Sequence, residues 1–207
     1  MNCTAAARAG WLAALLGGGW TASQAQTANT YLLSPHSRFE VRTGKSGLFS
    51  LVGHSHLIRA NAVTGHVVYD AAEPARSTVE ILVLADSLEV LTPPDTEEIR
   101  KVTQAMRADV LDVARHPEIR FVSRAVEAIP EGLRVRGELT LVGTTREVVV
   151  DVRLRAGPDT LRAAGEFNVK QTDFGIRPYR GGPGGLVRVA DRVTFRFDAL
   201  ALRAPAP

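Results

Sequence analysis

LTLVGTTREVVVDVRL (residues 139–154) contains the clearest β-hairpin of the sequence, two alternating apolar runs around Val142-Gly143-Thr144-Thr145. Before the turn, residues 133–141 carry an apolar side chain or glycine at every odd position and a polar side chain at every even one. After the turn, the apolar face is continued by Val148, Val150, Val152 and Leu154. A period of two predicts a sheet with one dry face and one wet face. Glycine in the connection favours a tight turn.

The same alternation extends outward from this hairpin over most of the chain. Further strands are predicted within residues 31–33, 37–42, 57–70, 78–90, 118–129, 161–170 and 192–202. Between two of them the spacing changes to three and four residues, which predicts one amphipathic helix over residues 95–113. The apolar stripe of this helix consists of Ile99, Val102, Met106, Val110 and Val113. Asp95 with Glu98 is typical of a helix start, and His116-Pro117 is expected to end the helix.

These elements predict an all-β fold, an antiparallel β-barrel of about eight strands with a single amphipathic α-helix. An eight-stranded barrel is wide enough either to fill itself with side chains or to hold one slender ligand. Its inward positions mix large and small residues, which favours a cavity. The large ones are Phe39, Phe167, Phe195 and Phe197, and the small ones are Ala163, Gly165, Ala199 and Ala201.

The composition excludes nucleic acid as the expected partner. Hydrophobic residues make up 45% of the 207 residues, enough for a substantial core, and the formal net charge is only +3. Arginines mostly alternate outward along the predicted strands, and aromatic residues are only 6% of the chain. Neither a basic cluster nor a stacking platform is indicated.

The N-terminal residues have the pattern of a secretory signal. Arg8 lies before the apolar run 9–20, and Ser23-Gln24-Ala25 ends in small residues at the cleavage positions. A spanning helix needs roughly 20 apolar residues, so this shorter run disfavours a membrane anchor. We predict a signal peptide over residues 1–25, a barrel domain over 26–203, a disordered tail over 204–207, and a periplasmic or secreted protein. The single cysteine, Cys3, lies within the signal, so no disulfide is expected.

Several short segments of the sequence are informative by their order and spacing. They are Ser37-Arg38-Phe39, Gly65, Val110-Leu111-Asp112, His116-Pro117-Glu118-Ile119-Arg120-Phe121, Gly137-Glu138-Leu139-Thr140-Leu141-Val142-Gly143, Asp173-Phe174-Gly175-Ile176 and Asp191-Arg192-Val193. By order and spacing, over residues 30–202, the chain resembles the YceI-like family of secreted bacterial proteins. The resemblance implies a lipocalin-like eight-stranded barrel whose tunnel binds a long isoprenoid chain, as in polyprenyl phosphates or quinones.

The resemblance further implies a binding protein rather than an enzyme, with no cofactor other than a bound isoprenoid lipid. It is compatible with transient membrane contact and with a homodimer. Twelve residues are predicted to contact the ligand, mostly inward aromatic and apolar positions, with two histidines near the head group. They are Phe39, Val41, Phe49, His54, His56, Phe121, Gly165, Phe167, Phe174, Ile176, Phe195 and Phe197.

Two other interpretations stay open. His54 and His56 point the same way in a strand and could share a divalent metal or haem, although no spacing supplies a third ligand. A small barrel enzyme acting on a lipid would use a histidine or carboxylate as its acid–base group, but no G-x-S-x-G elbow occurs. The glycine-rich loop 181–185, flanked by arginines, is either a phosphate cradle or a hairpin tip.

Overall fold

The strands of the molecule form one antiparallel sheet that closes on itself. The computed structural model describes residues 28–45, 55–92, 96–181 and 187–205. The strands are β1 (Asn29–Leu33), β2 (Arg38–Lys45), β3 (Leu57–Ala60), β4 (Val63–Tyr69), β5 (Thr78–Leu84), β6 (Leu88–Val90), β7 (Glu118–Ile129), β8 (Gly132–Leu141), β9 (Thr144–Ala156), β10 (Thr160–Lys170), β11 (Arg180–Gly181) and β12 (Val187–Arg203). Short 3-10 turns lie at Pro74–Arg76, Ala85–Ser87 and Gln171–Phe174.

The closed barrel consists of eight staves, each a continuous run of strand along the barrel wall. Three of the staves are made of two consecutive strands separated by a bend. β1 and β2 form one stave bent at residues 34–37, β3 and β4 a second, and β5 and β6 a third. Each stave pairs with the next along the chain, and β12 closes the barrel by pairing with both β1 and β2. The predicted eight-stranded antiparallel barrel is therefore confirmed, as an up-and-down barrel.

The β8–β9 hairpin has the register that its alternation predicts. Thr140 pairs with Thr145 and Leu141 with Thr144, so the connection is the two-residue turn Val142-Gly143. Both turn residues have positive φ, 47° and 70°, as a type I′ turn requires. Glycine adopts that conformation readily, whereas a β-branched valine rarely does.

The helix is shorter than its apolar stripe predicts. Helix α1 spans Thr96–Ala105 and widens into a π-helical turn at Met106–Val110. The Leu111 amide donates to the Met106 carbonyl (2.9 Å), and Asp112 then adopts a positive φ of 45°. That left-handed residue ends the helix before Val113. Asp95 lies outside the described residues, so the predicted capping pair stays a prediction.

Apolar clusters occupy both ends of the barrel. At the end where the helix packs, one cluster includes Leu141, Val148 and Phe174, and a second joins Met106 to Val90. The opposite end is filled by Tyr31, Leu161 and Ala201. No helix in the described part of the chain is long and apolar enough to cross a membrane.

The hairpin is expected to contribute stability. Leu141→Ala removes a buried side chain from the cluster at the helix end and should cost about 2–5 kcal/mol in the free energy of unfolding. Val149→Ala, at a side chain that is 43% exposed on the outer face, is the control and should change it by less than about 0.5 kcal/mol. Denaturant melts measure both, and equal losses would contradict the inward face assigned to Leu141.

Candidate ligand-binding cavity

An apolar cavity of about 210 Å³ lies inside the barrel between the clusters at its two ends. Six of the residues predicted to contact a ligand line it: Phe39, Val41, Phe121, Phe167, Phe195 and Phe197. Small inward residues line it too, as the alternation of large and small side chains predicts: Ala163, Ala199 and Ala201. The cavity is therefore built from inward positions of all eight staves.

The lining of the cavity extends along the strands. Along β8 its lining runs from Leu133 to Leu139, and along β12 from Phe195 to Ala201. Six residues of strand correspond to roughly 20 Å at about 3.3 Å per residue. The volume lies below the roughly 300–1,000 Å³ of typical small-molecule sites. A volume of this size suits a slender chain better than a bulky polycyclic ligand.

Glycines shape the cavity by letting large side chains lie flat against the wall. A Cβ atom at Gly165 would lie 2.9 Å from the ring of Phe197, its cross-strand partner, and 2.9 Å from the Asp151 carbonyl oxygen. A Cβ atom at Gly137 would lie 2.5 Å from the ring of Phe121. Gly165, which was predicted to contact a ligand, does not itself line the cavity, because the ring of Phe197 lies over it.

The lining offers little for acid–base chemistry. Glu40 and Arg196 border the cavity, but they face each other across β2 and β12 on the outward side of the alternation. There the Glu40 carboxylate accepts a bond of 2.8 Å from Arg59. Ser77, the buried polar residue of the lining, accepts a bond from the Asp70 amide (3.1 Å). Among the described lining residues no histidine or inward pair of carboxylates is present.

Two of the predicted contact residues lie elsewhere. Phe174 and Ile176, 2% and 6% exposed, pack in the core cluster at the helix end and do not line the cavity. The reason is a gap in the wall: β9 and β10 pair only from Gly165–Val152 to Leu161–Ala156. Beyond Gly165 the turn Gln171–Phe174 follows β10 and places Phe174 against the two strands. Phe174 therefore closes the wall where the strands separate.

The turn that carries Phe174 is fastened by polar contacts. Asp191 accepts bonds from the Thr172 amide (2.9 Å) and the Thr172 hydroxyl (2.8 Å). These bonds, the amide first, lower the pKa of the Asp191 carboxyl below its ordinary value. On the other side, Arg146 donates to the Asp173 carbonyl oxygen (2.8 Å). The turn is thus held to both β9 and β12.

This anchor should make stability sensitive to acid. Because the folded state lowers the pKa of Asp191, the stabilisation is present above the unfolded carboxyl pKa of about 3.9 and is lost as pH falls through the folded value. Asp191→Asn should therefore flatten the fall in stability below about pH 4. Thr172→Val, which removes the hydroxyl donor, should act in the same direction. Melts from pH 2 to 7 measure this, and an unchanged acid limb in Asp191→Asn would refute the assignment.

Of the predicted pair His54 and His56, only His56 lies within the described residues. His56 lies within 2.7 Å of the Thr92 carbonyl oxygen through its Nδ1, so the tautomer with a proton on Nδ1 donates there. Its backbone amide donates to the Thr43 hydroxyl (3.1 Å), and it does not line the cavity. His54 and Phe49 lie outside the described residues, as does most of the glycine loop. Within the described ranges, no three histidine, cysteine or acidic residues are grouped as metal ligands would be.

The sequence prediction of ligand contacts missed most of the described lining, since it named six of its thirty residues. It selected mainly aromatic residues and passed over further inward positions, most of them aliphatic, on β4, β5, β7, β8 and β9. These include Val67, Tyr69, Val79, Ile81, Val126, Leu133, Val135, Val150, Val152 and Leu154. The signal was present, because each belongs to the inward face of an alternating strand.

An eight-stranded up-and-down barrel around an apolar cavity defines a lipocalin-like barrel protein. The family model of the YceI-like domain matches residues 31–201, and the chain belongs to this family. This confirms the resemblance noted in the sequence.

Curated relatives share the domain. The chain is 32% identical to a UPF0312 protein of Pseudomonas syringae pv. tomato over 139 residues. This alignment covers 63% of this chain and 67% of the relative. It is 29% identical over 174 residues to a UPF0312 protein of Shewanella baltica, covering 80% of this chain and 86% of the relative.

Solved structures share the fold at low identity. BcnA of Burkholderia cenocepacia superposes with a TM-score of 0.66 at 18% identity, covering 81% of this chain and 98% of BcnA. A polyisoprenoid-binding domain from Saccharophagus degradans superposes with a TM-score of 0.59 at 11% identity, covering 86% of this chain and all of that domain (100%).

Proposed function

We propose that this protein is a non-catalytic carrier that holds the tail of an isoprenoid or similar amphiphilic lipid, such as a polyprenyl phosphate or quinone, in its barrel. The cavity is the observation that carries the proposal, because it is apolar and its lining extends for roughly 20 Å along the strands. Each methylene moved from water into such a space contributes about 0.8 kcal/mol. The fold shared with the polyisoprenoid-binding domain from Saccharophagus degradans supports the same ligand class.

We further propose that the protein is exported and works in the periplasm or outside the cell after cleavage behind Ala25. The signal pattern of residues 1–25 supports this. A carrier there would take up and release its lipid by transient contact with a membrane. Mass analysis of protein from the periplasmic fraction should find a chain beginning at Gln26, and recovery of intact Met1 at the inner membrane would overturn the export proposal.

Lipid extraction tests the carrier function directly. The protein is purified without detergent from its native host, extracted with organic solvent, and the extract is analysed by mass spectrometry. We expect an isoprenoid or comparable long-chain amphiphile in near-stoichiometric amount. Protein that carries no lipid from that host would refute the carrier function. A metal in stoichiometric amount, or turnover of the bound lipid, would favour the accessory-protein or enzyme interpretation instead.

A further inference from the structure

Two buried polar atoms on the helix side of the barrel have no hydrogen-bond partner within the described residues. They are the Thr103 hydroxyl oxygen and the Arg107 Nε atom. Thr103 lies in α1 and Arg107 in the π-helical turn that continues it, four residues further on. Residues four apart lie on the same side of a helix. Buried polar atoms are almost always bonded, so an unpaired hydroxyl and an unpaired guanidinium Nε one helical turn apart point to a polar ligand that would bond to them.

Arg107 is bonded to a residue that lines the cavity. The Arg107 Nη2 atom donates to the Leu88 carbonyl oxygen (2.9 Å). Leu88 is 7% exposed, and its side chain lines the cavity. Met106, next to Arg107, packs with Leu88 and Val83 in the same cluster. The guanidinium is thus bonded to the backbone of a residue that lines the cavity, although Arg107 itself is not part of the lining.

Within the described part of the chain, the positive charge of Arg107 is not balanced by an ion pair. No carboxylate of the described residues forms an ion pair with it, whereas Lys101 on the same helix pairs with Glu97. A buried charge is costly unless it is paired, and Arg107 is only partly exposed. A guanidinium has five N–H donors in a fork that matches phosphate or carboxylate oxygens, and a threonine hydroxyl adds another donor. The unpaired donors therefore suit an oxyanion.

We propose that Thr103 and Arg107 form a head-group subsite for the oxyanion of an acidic amphiphile, a phosphate or carboxylate whose apolar tail occupies the cavity. The inference rests on the proposed carrier function and specifies its ligand class. A carrier built this way selects an acidic lipid over a neutral one of the same chain length. The tail supplies most of the affinity, and the subsite supplies the discrimination.

Ligands that share a tail but differ in head group separate the contribution of the tail to the affinity from that of the head group. Calorimetric titration measures the dissociation constants of farnesyl phosphate, farnesol and inorganic phosphate. A hydrogen bond to a charged group predicts that wild type binds farnesyl phosphate about 10–100-fold more tightly than farnesol. Arg107→Gln should bring that ratio close to one and leave the affinity for farnesol unchanged. Arg100→Gln, at an exposed position of α1, controls for general charge and should keep the wild-type ratio.

The outcomes distinguish the two proposals. If farnesol binds but farnesyl phosphate binds no better, or if Arg107→Gln keeps the ratio, the subsite is refuted and the carrier function stands. If neither isoprenoid binds wild type, the carrier function fails and the subsite with it. Tight binding of inorganic phosphate with no gain from the tail would also refute a lipid head-group subsite. Should Arg107→Gln fail to fold, Thr103→Val, which replaces only the hydroxyl, should still lower the ratio several-fold.

Discussion

Phe174→Ala is expected to lower the free energy of unfolding by about 3–5 kcal/mol. Phe174 is 2% exposed and packs in the cluster that includes Val148 and Val169, at the place where β9 and β10 no longer pair. Removing the ring leaves a void that the strands cannot close, because the turn carrying it is fastened to Asp191 and Arg146. The loss therefore combines lost apolar burial with an unfilled cavity in the wall.

Denaturant melts measure this loss, and Tyr179→Ala is the control. Tyr179 is 42% exposed, a few residues along the chain, and its truncation should change stability by less than about 0.5 kcal/mol. The remaining folded Phe174→Ala protein should still bind lipid, because the ring does not line the cavity. A variant of normal stability that loses its lipid would mean that Phe174 contacts the ligand after all.

The barrel could be predicted from the sequence because its cause is local. Alternation in residues 133–154 fixes which side chains face inward, and a two-residue connection fixes the register of β8 and β9. The same alternation on β12 identified Phe195 and Phe197 as inward and therefore as candidates for the lining. Closure follows once eight such staves are joined by short connections.

The limits of the cavity could not be predicted, because they depend on contacts between distant strands. Phe167 and Phe174 are both aromatic and close in sequence, yet the first lines the cavity and the second fills the wall. What separates them is the loss of β9–β10 pairing beyond Gly165, which no local pattern encodes. The π-helical turn that places Arg107 against Leu88 is equally hidden, since the apolar stripe predicts a regular helix through it.

Ala163→Phe is expected to abolish lipid binding while the barrel stays folded. Ala163 lies on the inward face of β10, directly opposite Ala199 of β12, and both line the cavity. A phenyl ring there projects into the space that the tail would occupy. Gly165 is a poorer choice for the same purpose, because a side chain there would meet the Asp151 backbone and deform the wall.

The neighbouring residue supplies a matched control. Ala164 belongs to the outward face of β10, so Ala164→Phe adds the same ring to the outside of the barrel and should retain the lipid. Extraction and mass spectrometry measure the lipid, and denaturant melts measure the stability of both variants. Overpacking a filled core costs about 1–3 kcal/mol, whereas a ring placed in an open cavity costs much less. If Ala163→Phe unfolds while Ala164→Phe folds, the barrel interior is filled and the carrier function fails, because the added ring finds no open space.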